Sequence, residues 1–415
     1  MQGWMVGREC APLKPDPALV SSPASAYDRN MDTLLADTLT AWRRHLHANP
    51  GLTLHEGETA AFVVQKLREM GVAEIAEGVG GHGVVATLRR AGTGGNRAVG
   101  LRGDMDALPI QEVAEGLPWR SQNPGVMHAC GHDGHTTALL GAAALLLADT
   151  SWSGAVHLVF QPAEEGGRGA EAMIRDGLFA RFPMERIFGW HNWPGLEAGT
   201  IAVHDGPVMA AGARIVLTFE GHAGHAALPH ATRDPVLAAG HAIVAVQSIV
   251  SRNLDPIAGG VVSITMMEAG EAQNQIPSRA VLKGTARWLR PEDGAVIEQG
   301  LRRVAEGIGA TYGVAGSLEF RQGVYLTSNT PAEREIAAAA AAAGGALRRD
   351  LPPAMTGEDF SRFLVEVPGA FVWIGNGPAD GGRELHHPHY DFNDVILPRA
   401  AGFLAEVAKR ALAGT

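Results

Sequence analysis

Cysteine is nearly absent from this sequence: its 415 residues include only two, Cys10 and Cys130. One possible pair cannot supply the disulfide framework on which many small secreted domains depend, so we expect a chain that works in a reducing compartment. Long apolar runs are missing as well, and no stretch reaches the roughly 18 consecutive apolar residues of a membrane-spanning helix. These two absences predict a cytoplasmic protein with no membrane-embedded segment.

Basic residues are too few to balance the acidic ones, with 34 Lys and Arg against 44 Asp and Glu and a formal net charge of −10. No local cluster of Lys and Arg offsets this charge, which argues against a nucleic-acid partner. What the sequence does have is an apolar content of 46% and 17 histidines. A chain of this length usually forms more than one hydrophobic core, so two domains are expected.

The first 30 residues differ in composition from the rest. Ala24-Ser25-Ala26 resembles a signal-peptidase site, but charged residues and prolines interrupt the stretch before it, from Pro12 to Pro17. A signal peptide needs a continuous apolar segment at that place. We therefore expect residues 1–30 to be a disordered or trimmed extension.

Four short apolar runs rich in β-branched residues end abruptly in polar, glycine-containing segments, a pattern typical of buried parallel strands that lead into functional loops. They alternate with stretches of helical periodicity, and an Ala-rich segment at 333–347 is expected to be a helix ended by Gly344 and Gly345. This alternation predicts a layered α/β domain. The expected strands lie at 97–109, 154–167, 186–195 and 369–377, and the expected helices at 32–47, 59–71, 136–148 and 400–412.

The middle of the chain follows a different pattern, which predicts a compact α+β insert at residues 211–324 with two helices on one face of its strands. The α/β pattern returns at about residue 325, so the first domain is expected to be discontinuous and to comprise residues 31–210 and 325–415. The expected strands of the insert lie at 212–225, 259–277 and 280–289, and its helices at 234–252 and 291–313.

Polar side chains follow the predicted strands, and ligands of open α/β sheets bind outside the carboxyl ends of the strands. Taken singly, each cluster has a structural explanation: a solvated turn, a packed core imidazole or a surface histidine patch. Five such clusters at strand ends instead favour one metal site with nitrogen, oxygen and sulfur donors. The clusters are Asp104 with Asp106, "MHACGHDGHTT" at 127–137, Glu164 with Glu165, His191, and "ELHHPHYDFND" at 384–394.

Cys130 has two possible chemical roles. A cysteine near histidines and a helix N-terminus has a lowered pKa, which suits a thiolate nucleophile and equally a metal ligand. The sequence around it contains neither a resolving cysteine nor an identifiable residue to orient a catalytic histidine. The role of metal ligand is therefore favoured.

Eight ordered motifs between about residue 33 and the C-terminus resemble the M20 metallopeptidase family, in particular its amidohydrolase branch of N-acyl-amino-acid hydrolases, hippurate hydrolases and plant auxin-conjugate hydrolases. Departures from the family's pattern are small: Gly103 stands where alanine is common, and His222 where Lys or Arg is usual. The motifs are "RRHLHANPGLTLHEGET" (43–59), "LRGDMDALPI" (101–110), "MHACGHDGHTT" (127–137), "FQPAEEGGRGA" (160–170), "GHAGHAALPH" (221–230), "NQIPSRAVLKGTAR" (274–287), "TGEDFS" (356–361) and "LHHPHYDFND" (385–394).

The resemblance implies an α/β catalytic domain with a dinuclear metal site at the C-terminal edge of its sheet and an inserted lid and dimerisation domain. Cys130 would bridge two divalent ions, which Zn, Mn, Co or Ni could supply; a homodimer or larger homo-oligomer is implied. Glu164 would be the general base, Asp106 would orient a ligand, His225 would reach the neighbouring subunit's active site and Asn274 would line the substrate pocket. The remaining ligands would be His132 and His191 on one ion and Glu165 and His386 on the other. His387 and His389 match no ligand position and are expected to be supports, and we expect His128, Asp133 and His135 to cap the next helix or to support the ligands.

The implied reaction is hydrolysis of the amide bond of N-acyl amino acids. A dipeptidase or an N-carbamoyl-amino-acid hydrolase of the same family is the alternative within the class. A thiol hydrolase based on Cys130, or a non-catalytic binding protein on the same scaffold, are alternatives from other classes. The expected partner is a small-molecule N-acyl amino acid substrate, with no nucleic acid and no membrane.

Overall fold

The computed structural model describes residues 26–92, 97–114, 116–166, 168–345 and 347–414. Most of the predicted N-terminal extension, residues 1–25 with Cys10, therefore lies outside the described residues. The backbone of residues 26–30, which was predicted to belong to that extension, already forms the start of the first helix.

Strands and helices alternate through the two ends of the chain, while the middle is mostly strands with two long helices. The strands are β1 (Glu74–Val79), β2 (Gly83–Arg90), β3 (Ala98–Asp104), β4 (Gly154–Gln161), β5 (Arg186–Pro194), β6 (Ile201–Ala202), β7 (Pro207–Met209), β8 (Ala211–Glu220), β9 (Gly224–His225), β10 (Gly260–Ala269), β11 (Gln275–Ile276), β12 (Arg279–Trp288), β13 (Ala315–Val324), β14 (Thr327–Ser328), β15 (Leu347–Arg348) and β16 (Gly369–Gly377). The α-helices are α1 (Ala26–Ala48), α2 (Gly57–Glu69), α3 (His132–Ala148), α4 (Gly169–Arg175), α5 (Leu178–Arg181), α6 (Pro235–Asn253), α7 (Pro291–Tyr312), α8 (Pro331–Ala343), α9 (Phe363–Glu366) and α10 (Leu397–Ala413).

The larger sheet has eight strands in the order β1-β2-β4-β3-β5-β16-β6-β15. The four predicted strands form its centre, and β4, β3, β5 and β16 run parallel to one another. The hairpin β1-β2, which pairs antiparallel with β4, was not predicted. Because the four central strands are parallel, their carboxyl ends meet at one edge of the sheet, which is where the polar clusters were expected.

Helices cover both faces of this sheet. On β4, Val156, Leu158 and Phe160 belong to the core beneath α1, α2, α3, α8 and α10, whereas Val159 belongs to a second core with α4, α5 and α9. Helix α3 is apolar nearly all round and buried for most of its length, as expected of a helix at the centre of a core. It begins at His132, four residues before the predicted start, so its first turn carries part of the histidine motif.

The smaller sheet, β10-β12-β8-β13, is antiparallel throughout and is covered on one face by α6 and α7. Its edge strand β13 was not predicted. The single strand expected over 259–277 is in fact two elements, β10 and β11, with β11 leaving the sheet to pair with β9. The last strand of this sheet ends at Val324, next to the predicted return to the first domain.

By length and composition alone, α6 is apolar enough to cross a membrane, a property that the core helix of a soluble protein can also have. One side of the helix packs on the smaller sheet through Ala242, Val246 and Ile249. Leu237 and Val244 on its other side are exposed.

Candidate metal centre

The five predicted metal ligands lie together at the carboxyl edge of the larger sheet. Cys130 and His132 flank the start of α3, and Glu165 follows β4. His191 is within β5, and His386 is in the segment after β16. Residues far apart in the chain converge here because parallel strands end at the same edge.

The first group of possible ligands consists of Cys130, His132 and His191, whose donor atoms all lie within 4.8 Å of one another. The Sγ atom of Cys130 is 3.4 Å from Nε2 of His191. All three residues are buried.

The second group consists of Cys130, Glu165 and His386, again with donor atoms within 4.8 Å of one another. Nε2 of His386 is 3.3 Å from the same Sγ and 3.4 Å from Oε1 of Glu165. The thiol of Cys130 is thus common to both groups, as a bridging ligand must be.

The atoms that face this space fit divalent cations. Nε2 of His132 and Oε1 of Glu165 are buried without a hydrogen-bond partner among the described residues, and they lie 3.9 Å apart. Buried polar atoms are seldom left unsatisfied, so the pair points to a missing partner. One thiolate with imidazole and carboxylate donors suits Zn, Mn, Co or Ni.

The imidazoles are held by their other nitrogens. Nδ1 of His132 donates to the carbonyl oxygen of Asp106 at 2.9 Å, and Nδ1 of His191 donates to that of Asn192 at 2.7 Å. Each bond fixes the tautomer in which Nε2 carries a lone pair. Both lone pairs then face the shared Cys130 side of the site.

Asp106 holds the loop that carries Glu164 and Glu165. One carboxylate oxygen of Asp106 accepts from the backbone N–H of Glu164 at 3.1 Å, and the other accepts from that of Glu165 at 3.0 Å and from the hydroxyl of Thr53 at 2.7 Å. Its side chain is also 3.2 Å from Nδ1 of His132. Asp106 therefore contacts both a proposed ligand, His132, and the loop that carries the base candidate Glu164.

Backbone strain is concentrated around the site. Among the described residues, positive φ outside glycine occurs at Leu54 (69°), Ala163 (53°) and His386 (65°). Ala163 directly precedes Glu164, and the backbone N–H of His386 is held by the carbonyl of Ala129 at 2.8 Å. Such strain persists where surrounding contacts over-determine the backbone and clusters at functional sites.

Glu164 lies beside the donor groups with one carboxylate oxygen 3.3 Å from the backbone N–H of Asp359, which donates to it. Burial, reinforced by the carboxylates of Glu358 and Glu165, raises the pKa of Glu164 well above its usual range. A carboxyl group with this tendency to hold a proton is suited to accept one during a reaction.

The electrostatics at Cys130 are unfavourable for a free thiolate. Burial and the neighbouring Glu165 and Glu164 carboxylates raise the pKa of this thiol well above its usual range. A nucleophilic cysteine normally has the opposite, electropositive surroundings. Bound cations would instead lower the pKa of this thiol, so the environment favours Cys130 as a metal ligand over Cys130 as a nucleophile.

Other residues of the histidine motif have supporting positions. Nδ1 and Nε2 of His135 contact Asp104 and Asn192 at 2.6 and 2.7 Å, and Asp133 is 2.8 Å from Nδ1 of His47. Of the two roles expected for these side chains, the contacts correspond to support of neighbouring residues and not to capping of the helix. The N-cap is Gly131, with a φ of 93° and no side-chain cap.

A substituent at Gly131 would collide with neighbours, since a Cβ there would lie 2.6 Å from the Tyr390 hydroxyl. His128 is buried, but neither of its ring nitrogens has a hydrogen-bond partner among the described residues. His387 and His389 stack on each other with ring centroids 5.5 Å apart. The ring nitrogens of His128 are orphaned in the same way as Nε2 of His132.

A buried ion network beneath Glu164 was missed by sequence reasoning. Arg102 has no solvent exposure and lies 2.7 Å from Asp104, 2.9 Å from Glu358 and 3.4 Å from Asp359. The "GED" of residues 357–359 was quoted only as a family motif. The signal that could have found it was an arginine in a predicted buried strand, which requires a charged partner.

The site opens into a cleft of about 810 Å³ between the edge of the larger sheet and the end of the smaller one. The side chain of Arg287 on β12 lines this cleft, is half-buried, and has no ion pair or hydrogen bond among the described residues. A Cβ on Gly212 would overlap its guanidinium, so glycine at that position makes room for it. Sequence reasoning did not identify Arg287.

His225 and Asn274 are absent from the lining of their own chain's cleft. They lie together elsewhere on the smaller-sheet region, where His225 pairs with Gln275 and the N–H of Ala226 donates to the carbonyl of Asn274 at 2.9 Å. The described chain therefore brings together the five ligands, Glu164 and Asp106, but not these two residues.

Comparisons with known proteins identify the family of the chain. The model for the family described as "Peptidase family M20/M25/M40" matches residues 100–410. The chain is 38% identical over 384 residues to N-acetyl-L-cysteine deacetylase of Bacillus subtilis, covering 92% of this chain and 90% of that protein. It is 39% identical over 373 residues to hippurate hydrolase of Campylobacter jejuni, covering 89% and 95%.

Among solved structures, the fold matches the Bacillus subtilis YXEP protein, described as a dinuclear metal-binding peptidase from the M20 family. The TM-score is 0.82 with 34% sequence identity, over 92% of this chain and 100% of that one. The match therefore covers nearly the whole of both chains.

Proposed function

Because the chain belongs to peptidase family M20/M25/M40 and is a metal-dependent hydrolase of the amidohydrolase and deacetylase kind, we propose that it cleaves the amide bond of N-acyl amino acids to a carboxylic acid and a free amino acid. The single observation that carries this proposal is the pair of donor groups that share Cys130 beside Glu164. Two relatives with closely similar sequences are named for this type of reaction.

Cys130, His132 and His191 would hold one divalent ion, and Cys130, Glu165 and His386 would hold the other, so that the Cys130 thiolate would serve both. When bound, such ions polarise an amide carbonyl and lower the pKa of water. Asp106 keeps the ligands in place through its contacts with His132 and the Glu165 backbone. Zn, Mn, Co and Ni all remain compatible with this donor set.

Glu164 is the proposed general base. Its carboxylate accepts a proton from the attacking water and then delivers it to the leaving amine nitrogen. The N–H of Asp359 and the Asp106 contacts to its backbone hold it in place between the ligands and the cleft. General acid–base catalysis of this kind contributes about 10²- to 10⁴-fold.

Arg287 is the proposed partner of the amino acid's α-carboxylate. An arginine without a counter-ion, half-buried in the cleft that contains Cys130 and Glu164, is placed to bind an anion bidentately. This requirement separates N-acyl amino acids from simple amides, which lack the carboxylate.

We propose that His225 and Asn274 act from the smaller-sheet region of a second copy of the chain. They are held side by side but away from their own cleft, so they would enter another subunit's site together. Exposed apolar residues on α6 and the edge strand β10, namely Leu237, Val244, Met266 and Met267, provide a surface for such a contact. In the neighbouring site, His225 would stabilise the developing oxyanion.

A substrate panel tests the proposal. The metal-reconstituted protein is assayed with acetyl-, benzoyl-, indoleacetyl- and carbamoyl-amino acids and with free dipeptides, with Zn, Mn, Co or Ni added. Turnover of acyl-amino acids well above that of dipeptides and carbamoyl compounds is expected. Preference for a dipeptide or a carbamoyl substrate would instead establish the dipeptidase or the carbamoyl hydrolase.

A further inference from the structure

One face of the smaller sheet presents an unusual concentration of arginines to the cleft. Arg214 on β8 is directly opposite Arg321 on β13 and Thr285 on β12. Arg287 is two residues beyond Thr285 on the same strand and therefore shares its face. The opposite face, with Ala213 and Ile215, is buried beneath α6 and α7.

The cross-strand pair of Arg214 and Arg321 is electrostatically unfavourable by itself, because like charges directly opposite each other on a sheet repel. Arg214 is exposed, and its side chain has no ion pair or hydrogen bond among the described residues. Arg321 pairs with Glu319 at 2.7 Å, but the two side chains are 80% and 60% exposed. An ion pair so exposed offsets little of the repulsion.

Both arginines line the same cleft as Cys130 and Glu164, together with Arg287. The guanidinium of Arg287 occupies the space over Gly212, which is two residues from Arg214 on the same face of β8. Two residues along a strand correspond to about 7 Å. The cleft therefore offers two neighbouring binding positions for anions. One is Arg287, the proposed partner of the α-carboxylate, and the other is the pair of Arg214 and Arg321.

We infer that the preferred substrates are N-acyl derivatives of acidic amino acids, whose side-chain carboxylate is bound between Arg214 and Arg321 while Arg287 binds the α-carboxylate. This rests on the proposed function. Aspartate and glutamate separate their two carboxylates by only a few bonds, which matches arginine side chains that start from neighbouring positions. The bound carboxylate would offset the repulsion between Arg214 and Arg321.

The alternative source of a second anion is the acyl group. Arg168 lies on the opposite wall of the cleft, just beyond the loop of Glu164 and Glu165, and its side chain has no ion pair or hydrogen bond among the described residues. Arg168 would bind an anion on the acyl group, such as the free carboxylate of a succinyl group. Two separate substrate pairs therefore distinguish the two sources.

The test compares kcat/KM of the metal-reconstituted full chain for N-acetylglutamate and its neutral isostere N-acetylglutamine. A charge-assisted hydrogen bond predicts that the wild type prefers the glutamate compound by about tenfold or more. The preference should reside mainly in KM, should shrink at high salt, and should fall towards unity in the double variant Arg214→Gln/Arg321→Gln. Arg303→Gln on α7, on the helix-covered side of the sheet, removes an equivalent charge and should keep it.

Equal kcat/KM for the two compounds in the wild type, or an unchanged preference in the double variant, would overturn the inference. So would a preference confined to N-succinylmethionine over N-acetylmethionine, because that would place the second anion on the acyl side. N-acetylmethionine and hippurate report on the proposed function separately, since they carry no second carboxylate. Failure to cleave any of these compounds would overturn the proposed function and this inference together.

Discussion

The region built on the eight-stranded sheet buries ionisable side chains, whereas the region of the four-stranded sheet keeps nearly all of them at its surface. Arg43, Arg102, Asp104 and Asp133 are among the many fully buried charged residues of the first region. In residues 211–324, all of which the structure describes, the buried polar residues are Thr232 and Asp293. The two regions thus differ in the kind of core, although both combine a sheet with helices.

Burying charge costs free energy unless each group is paired, and replacing such pairs by apolar residues is often neutral or stabilising. The smaller region shows that this chain can build a core without them. The buried network around Arg102 and Asp106 therefore has its explanation in the site it supports. The smaller region contributes in another way, through charged side chains left exposed on the open face of its sheet.

Metal removal should have the largest effect of these experiments, and its effect on hydrogen exchange should be confined to the region of the eight-stranded sheet. Dialysis against a chelator is expected to abolish turnover, because the donors around Cys130 then lose the ions that activate water, and adding Zn, Mn, Co or Ni should restore it. Hydrogen exchange should rise at 127–137 and 161–166 but remain unchanged in β8 and β12. Activity that survives complete metal loss would favour the thiol hydrolase instead.

Glu164→Gln should lower kcat by about 10²- to 10⁴-fold, because the amide cannot accept the proton of the attacking water. Metal content measured by elemental analysis should stay at that of the wild type, since Glu164 is not a proposed ligand. Glu171→Gln, which removes a carboxylate at the same cleft, serves as the matched control. A Glu164→Gln protein with near wild-type kcat would show that another group is the base.

The smaller region's part in the reaction is tested by mixing subunits. His225→Ala should lower kcat by about 10²- to 10³-fold, as does loss of an oxyanion-stabilising donor elsewhere. A hybrid dimer of one Glu164→Gln chain and one His225→Ala chain should regain one working site, close to half the wild-type activity. If His225 served its own chain, both sites of the hybrid would be defective and no activity would return.

The smallest expected effect is a change in metal affinity when a hydrogen bond to Asp106, which holds the ligands, is removed. Thr53→Val removes the 2.7 Å hydrogen bond to Asp106, and loss of such outer contacts weakens metal affinity about tenfold. Thr311→Val removes a comparable 2.8 Å hydrogen bond, to Gly307 in α7, and should leave metal affinity unchanged. Metal titration of both variants measures the difference, and equal affinities would mean that Asp106 does not depend on Thr53.

The strands that carry the site could be predicted because each is a short apolar run with an abrupt polar end. The predicted strand at 369–377 has the bounds of β16 as observed. The edge strand β13 was missed because it is not a continuous apolar run: polar side chains and glycines separate Leu318 and Phe320 from other apolar residues, and its pairing with β8 makes it part of the sheet. Local sequence carries little information on such pairing.

The start of α3 is a second feature that local sequence did not predict. The apolar pattern begins at residue 136, but the helix begins at His132 because Gly131, held close to Asn192 and Tyr390, turns the chain there. The polar first turn has no apolar periodicity, so it could not be assigned from the sequence.

By itself, the sequence determined the inventory of donors, their positions at the ends of apolar strands, and the family. Tertiary structure decided which donors meet: Cys130 contacts His191 across 61 positions of the chain and His386 across 256. It also paired Arg102 with Glu358 and set Arg214 opposite Arg321, contacts that depend on strand register and not on any local pattern. The physical reason is that propensity and periodicity act over a few residues, whereas convergence at a sheet edge is a property of how strands pair.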